Sequence, residues 1–288
     1  MEKQYRFAGV EVAVRIPNEW MYTDDRLLAP FRVAQAEAPH LFCYEPVTAL
    51  AAPSGKLEVH LPGMRVYREE TSYVRYIGSV EDTWETAYIR TAHGETESHV
   101  QVKVSEPIIQ IGVKTVLNSM GAEHLVAAVR GFLFHCAYID YREKAILFTA
   151  PSGTGKSTQA DLWAKYRGAE IINGDRAAVR LADGQLLAEG IPFAGSSEYC
   201  KNRSLPIGAI VYLAQAPVTT VRRLRGYEAF SKIWEGVSIN IWDREDMELV
   251  SGVVQKVAEQ IPIFHMPCTP DEAAVITLED ALRKQEIL

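Results

Sequence analysis

The chain has 288 residues, 48% of them hydrophobic and 23% charged, with a formal net charge of −7. That much apolar material excludes a disordered chain, and the length suits two unequal domains. The acidic balance disfavours a broad nucleic-acid partner, because such a chain repels a phosphate backbone.

The densest basic cluster, RRLR at Arg222 to Arg225, reads as a solvated strand end. The four cysteines, Cys43, Cys136, Cys200 and Cys268, are widely spaced and form no CxxC pair. This argues against a zinc site or a disulfide framework and fits a reducing compartment. The opening MEKQYRFAGV lacks an apolar core of signal-peptide length, and the apolar stretch from Leu125 to Ile139 is interrupted by Arg130 and His135. The expectation is a soluble, cytoplasmic protein with no membrane partner.

Residues 1 to 105 read as a β-rich N-terminal accessory domain. FAGVEVAVRI, KLEVHL, SYVRYIGSV, TAYIR and HVQVKV alternate or run apolar between turn residues. His60, His93 and His99 are scattered there without forming a constellation. Residues 106–288 read as a second domain. Val113, Val116, Leu117, Met120, Leu125 and Val129 recur near helical spacing and predict a helix over 112–130. FLFHCAYID and AILFTA then read as a strand pair joined by a tight turn at REK.

After a glycine-rich turn, STQADLWAKY suits a helix and AEIIN a short strand. AAVRLADGQLLAEG reads as a hairpin turning at Asp183-Gly184. The stretch EGIPFAGSSEYCKNRSLP, residues 189–206, has no clear period, and such stretches are often functional. IGAIVYLAQ reads as a buried strand and TTVRRLR as another. The C-terminal third reads as helical, with Met247, Val250, Val254, Val257 and Ile261 on one face and IFHMPC as a short strand. A capping box then predicts the last helix, with Thr269 as N-cap, Pro270 in the first turn and Glu272 three residues on.

The chemistry concentrates in APSGTGKS, Ala150 to Ser157. It matches the phosphate-loop pattern G-x-x-x-x-G-K-[ST] except that alanine stands first. Phosphates require this arrangement because successive backbone amides must curl around the anion, which glycine permits. The following helix points free N–H groups at the same anion. Ser152, Gly153, Thr154, Gly155, Lys156, Ser157 and Thr158 are therefore the candidate nucleotide contacts. Lys156 adds a full charge towards the β- and γ-phosphates, and the Ser157 hydroxyl is placed for Mg²⁺. Ala150 precedes the anion nest, where a methyl is tolerable if its φ is negative. Asp175 ends the next strand, where a second Mg²⁺ contact or a base for an incoming hydroxyl belongs; it also suits a plain turn aspartate. His135 lies in the strand before the loop strand, sharing a face with Leu133 and Ala137, as a core histidine or as a catalytic one.

The segment FHCAYIDYREKAILFTAPSGTGKSTQADLWAKYRGAEIINGDRAAVR resembles the core of the HPr kinase/phosphorylase family. Residues 131 to 275 resemble the smaller HPr-kinase-like proteins, which include serine kinases of peptide natural products. The resemblance implies an α/β fold: a P-loop kinase core of the HPr kinase/phosphoenolpyruvate carboxykinase type, with a β-rich N-terminal domain. It implies ATP and Mg²⁺ as cofactors, with Lys156, His135 and Asp175 as catalytic residues and Ser157 and Asp175 as metal ligands. It also implies a hydroxyl acceptor on a protein, a peptide or a small molecule, and a possible homo-oligomer. Two departures stand out. Gly174 occupies the place of the family's first aspartate, and Thr158 follows Ser157 where an acidic residue is usual. Either Asp175 orients the acceptor while Ser157 and the phosphates hold the metal, or the base lies elsewhere. The missing aspartate also admits a non-catalytic nucleotide sensor, and the shared core admits carboxykinase chemistry on a dicarboxylic acid. Arg176, Lys201 and Arg203 are candidates to reach the transferring oxygens. Residues 189–206, with Asn202 and Arg203, are a candidate cover for the acceptor.

Overall fold

The computed structural model describes residues 1–22, 26–78, 85–92, 94–104, 111–195 and 199–288. His93 and the expected 105/106 boundary lie outside the described residues. The chain is mixed α/β with two large mixed sheets. It divides into two units, Met1–Ala122 and Glu123–Leu288.

The first unit is built from alternating sequence. Its strands are β1 (Glu2–Phe7), β2 (Val10–Arg15), β3 (Arg32–Val33), β4 (His40–Val47), β5 (Lys56–Leu61), β6 (Met64–Arg68), β7 (Ser72–Gly78), β8 (Glu85–Ala92) and β9 (Glu97–Lys103). They pair in the order β3-β1-β2-β4-β9-β8-β7-β6-β5. β4 runs parallel to β2 and β9, and the remaining pairs are antiparallel. Helix α1 (Val113–Met120) belongs to this unit. Tyr44 Oη hydrogen-bonds Ser119 Oγ, and Arg75 donates to the Ser119 carbonyl at 2.7 Å. These bonds hold the start of the expected long helix with the first unit.

That expected helix over 112–130 is two helices. α1 stops at Gly121, whose φ of 61° is left-handed, and α2 (Ala122–Ala128) follows at once. Glycine is the residue that turns a helix end this way at least cost, so α1 stops there although the apolar period runs on.

The second unit contains β10 (Gly131–Tyr141), β11 (Lys144–Thr149), α3 (Lys156–Arg167), β12 (Glu170–Asn173), β13 (Arg176–Ala182), β14 (Gln185–Glu189), β15 (Ser204–Gln215), β16 (Arg222–Leu224), α4 (Gly226–Trp234), β17 (Val237–Ser238), α5 (Arg244–Gln260), β18 (Ile263–Cys268) and α6 (Glu272–Lys284). The expected hairpin of β10 and β11 forms through Arg142 and Glu143, both with φ near +60°. The β13–β14 hairpin turns at Asp183 and Gly184, with φ of 48° and 81°. Two consecutive positive φ values match the twist of the flanking strands.

Pairing runs in a closed circuit. β10 pairs β11 and β13, β13 pairs β14, β14 pairs β15, and β15 returns to β11. β11 and β15 are parallel within it, and β18 adds in parallel to β15 outside it. Each face of these parallel strands is covered, as such strands require. On one face Phe148, Val211 and Phe264 pack with Trp163 of α3 and Leu278 of α6. On the other, Phe134, Leu147 and Ile210 pack with Ile233 of α4 and Val250 and Val254 of α5. Each such side chain contributes about 1.5–3 kcal/mol on burial.

Two further points differ from expectation. α6 is capped by Asp271, whose carboxylate accepts from Ala273 N at 3.1 Å; Thr269 is not the cap. The Thr269 hydroxyl pairs with Thr219 and donates to Asp271 instead. The C-terminal third also carries α4 and β17, two short elements that the periodicity does not reveal. Among the described residues, no helix is long and apolar enough to cross a membrane.

Candidate functional site

The site begins where β11 ends. Thr149 lies between Cys136 of β10 and Tyr212 of β15, and its hydroxyl donates to the His135 carbonyl at 2.9 Å. The chain leaves the sheet through Ala150, which is buried and has no left-handed φ, so its methyl is accommodated there. Gly153 and Gly155 have φ of 77° and 115°. A Cβ at either would meet no atom within 4 Å. The requirement for glycine is therefore the backbone angle and not space. Gly155 is the N-cap of α3, and no side chain caps this helix. The first amides of a helix left so are a ready anion site.

The loop faces solvent at Ser152, Gly153, Ser157 and Thr158, with Thr154 and Gly155 half-buried. Lys156 is the exception, at 8% exposure. Its ammonium donates to the Ala150 and Pro151 carbonyls at 3.0 and 3.3 Å. Burial lowers its pKa, and the charge of Asp175 works against that. The Ser157 hydroxyl donates to the Gly174 carbonyl at 3.4 Å, one residue from Asp175.

Asp175 is positioned by a residue the sequence reading did not single out. Asn173 is fully buried at the end of β12. Its Oδ1 accepts from the Asp175 and Arg176 amides at 2.9 and 3.0 Å. Its Nδ2 donates to the Phe193 carbonyl at 2.8 Å and the Ile191 carbonyl at 3.4 Å. One side chain thus fixes the turn carrying Asp175 and the segment that follows β14. Asn-Gly-Asp after a short strand carries the signal of such a turn, but the anchoring of a distant segment has none.

His135 and Asp175 are brought together, with Nε2 to Oδ1 at 3.8 Å. The second Asp175 oxygen accepts from Arg176 Nε at 3.2 Å. Burial lowers the His135 pKa, and the charges of Lys156 and Arg176 add to this while Asp175 opposes it. Together these favour the neutral imidazole. The described part of residues 189–206 also reaches Asp175: a Cβ on Gly195 would lie 2.8 Å from Oδ1. Residues 196–198 of that stretch lie outside the described residues.

Lys201 and Arg203 are directed elsewhere. Lys201 pairs with Glu170 at 2.6 Å, and Arg203 with Asp140 and Glu143 at 3.1 and 3.0 Å. Of the three candidate cations, Arg176 alone is tied to Asp175.

Beside the loop opens a cleft of about 570 Å³. It is lined by Gly153, Gly155, Thr158 and Gln159 of the loop and α3, and by Gln215 at the end of β15, Ala216 and residues 268–270. Gln215 Nε2 donates to the Gly153 carbonyl at 3.4 Å and ties the end of β15 to the loop. The arrangement places the C-terminal ends of parallel strands, a helix N-terminus and a cleft in one place, where open α/β sheets commonly bind ligands.

No protein-family model matches the chain, and no curated protein matches it. Among solved structures, it is similar to the HPr(Ser) kinase/phosphatase from Coxiella burnetii, at 11% identity and a TM-score of 0.32, over 54% of this chain and 90% of that one. The relationship is a distant structural one.

Proposed function

We propose that the second unit binds ATP with Mg²⁺ and transfers its γ-phosphoryl group to a hydroxyl, with a serine of a protein or peptide as the acceptor we favour. One observation carries this reading. The left-handed glycines, the uncapped α3 and Lys156 form one turn, and the His135–Asp175 pair lies within electrostatic reach of that lysine. The resemblance of APSGTGKS and its surroundings to HPr-kinase-like proteins agrees with it.

Phosphoryl transfer demands positioning and charge neutralisation more than covalent chemistry. The amides of residues 152–157 receive the phosphate oxygens. Lys156 exchanges its two carbonyl partners for phosphate and neutralises charge that grows in the transition state. Asp175 accepts the hydrogen of the acceptor hydroxyl and aims its oxygen, and the neutral His135 beside it is able to take up the proton. Arg176 balances the carboxylate. With Asp175 serving the acceptor, the Ser157 hydroxyl and the phosphates would hold Mg²⁺; Ser157 donates to the carbonyl of Gly174, the residue before Asp175, whose carboxylate is also a hard oxygen donor of the kind Mg²⁺ takes. When bound, Mg²⁺ supplies charge stabilisation to the phosphate oxygens.

The test is transfer of labelled γ-phosphate to serine-containing acceptors by the full chain and by Lys156→Ala. The variant is expected to lose roughly a hundredfold or more. A variant with full activity refutes the role of Lys156.

A second reading is a nucleotide sensor without turnover. It is favoured by the pairing of Asp175 with Arg176 and by the single carboxylate in the Asn173–Asp175 turn. It predicts ATP binding and thermal stabilisation with no labelled acceptor.

A further inference from the structure

Among the described residues lining the cleft beside the loop, one carries a buried side-chain atom with no hydrogen-bond partner. Most of the cleft wall is bonded within itself. Thr269 N donates to Thr219 Oγ1 at 3.1 Å, the two threonine hydroxyls are 3.0 Å apart, and Ala216 N donates to the Cys268 carbonyl at 3.1 Å. Gln159 differs. It is 2% exposed, and its Nε2 donates to the Thr269 carbonyl and to Cys268 Sγ, each at 3.4 Å.

A backbone carbonyl only accepts, so Thr269 fixes which end of the amide is NH₂. Both hydrogens of that group are then engaged. The amide oxygen, Oε1, is left buried with no partner. Among the described residues lining the cleft, it is the orphaned buried side-chain atom. Native proteins rarely leave such an acceptor unmet without a reason. A donor carried into the cleft supplies what it lacks.

The loop residues that would take the phosphates also line this cleft, so it starts where the phosphates end. Its volume falls in the range of small-molecule sites. We propose that the cleft holds the nucleoside half of a nucleoside triphosphate, and that Gln159 Oε1 accepts a hydrogen bond from an exocyclic amino group of the base. Gln159 is then the residue that determines base preference. This rests on the phosphate-binding reading of the loop given above.

Calorimetry on the full chain with Mg²⁺ tests it. The titrants are inorganic tripolyphosphate and two nucleotide pairs, ATP against purine riboside triphosphate and GTP against inosine triphosphate. In each pair one member lacks the exocyclic amino group. The expected result is that ATP or GTP binds about tenfold more tightly than its partner, the value of one satisfied buried hydrogen bond. The pair that shows the difference names the base. Gln159→Leu is expected to abolish the preference while keeping tripolyphosphate affinity, which also reports that the variant is folded. If neither pair differs in the wild-type chain, the inference is overturned whatever the variant does. The same holds if the variant keeps the wild-type preference. Tripolyphosphate held with no gain from any nucleoside overturns the inference and leaves the loop reading standing. If neither tripolyphosphate nor any nucleotide is held, both fall.

Discussion

Both units pair many of their charges internally, but they differ in the polar residues at one end of the second sheet. In the first, charged groups meet one another: Arg6 of β1 with Glu11 of β2, Arg65 of β6 with Glu85 of β8, and Arg90 of β8 with Glu69 in the β6–β7 turn. In the second, several polar groups near one end of the parallel strands are only partly satisfied by the chain. Lys156 rests on two backbone carbonyls, Ser157 makes one long bond, and Gln159 keeps an unmet oxygen. Strand direction accounts for the contrast. The first sheet is mostly antiparallel, and its charged side chains find partners on nearby strands and turns. The second aligns β11, β15 and β18 in parallel, so their C-terminal loops converge and a helix N-terminus joins them. The second sheet pairs charges too, as Arg180 with Glu189 across β13 and β14, but it also gathers helix amides and an ammonium at one end.

The largest effect belongs to Lys156, whose replacement by alanine is to reduce transfer about a hundredfold or more while the thermal midpoint moves little. A large fall in that midpoint would show that the lysine serves the fold and would erase the contrast.

Next comes Glu279, a polar group of the second unit that is settled internally. Burial acts to raise its pKa, but hydrogen bonds from Arg167, Arg283 and Tyr141 more than offset this and hold it at about 2. A carboxylate lowered from 4.5 contributes stability that is complete above the unfolded value and is lost as pH falls from about 4.5 to about 2. Glu279→Gln is expected to cost about 2–3 kcal/mol at pH 7 in urea melts. The difference from the wild-type chain should close as pH falls through that window. A penalty that is independent of pH would contradict the ionic account.

The smallest effect is expected in the first unit. Arg90→Ala removes a half-exposed pair with Glu69 and should cost under about 1 kcal/mol, leaving phosphoryl transfer unchanged. Loss of transfer in this variant would tie the first sheet to the chemistry and break the comparison.

Much of the second unit is written locally. The turns at Arg142-Glu143 and Asp183-Gly184, the strand before the loop and the helix after it follow from neighbouring residues and their backbone preferences. The resemblance names His135 and Asp175 separately as catalytic residues; the β10–β13 register, which pairs His135 with Arg176, brings them together. What the sequence hides depends on distant partners. Gln159 sits in a helix as an ordinary polar residue, and its burial is imposed by Cys268 and Thr269, 109 and 110 positions away. Asn173 looks like any turn asparagine until Ile191 and Phe193 arrive over it. The Thr269 cap is displaced to Asp271 because Thr219 engages the threonine. Gly121 ends α1 within an apolar period that runs on past it.

The central claim is that the turn from Ala150 to Ser157 holds the terminal phosphates of a nucleoside triphosphate. Calorimetric titration of the full chain with ATP and GTP in the presence of Mg²⁺, repeated with Lys156→Ala, tests it most directly. Saturable binding by the wild-type chain to at least one nucleotide, weakened tenfold or more in the variant, is the predicted result. Absence of heat with both nucleotides, or equal affinity in the variant, would contradict it.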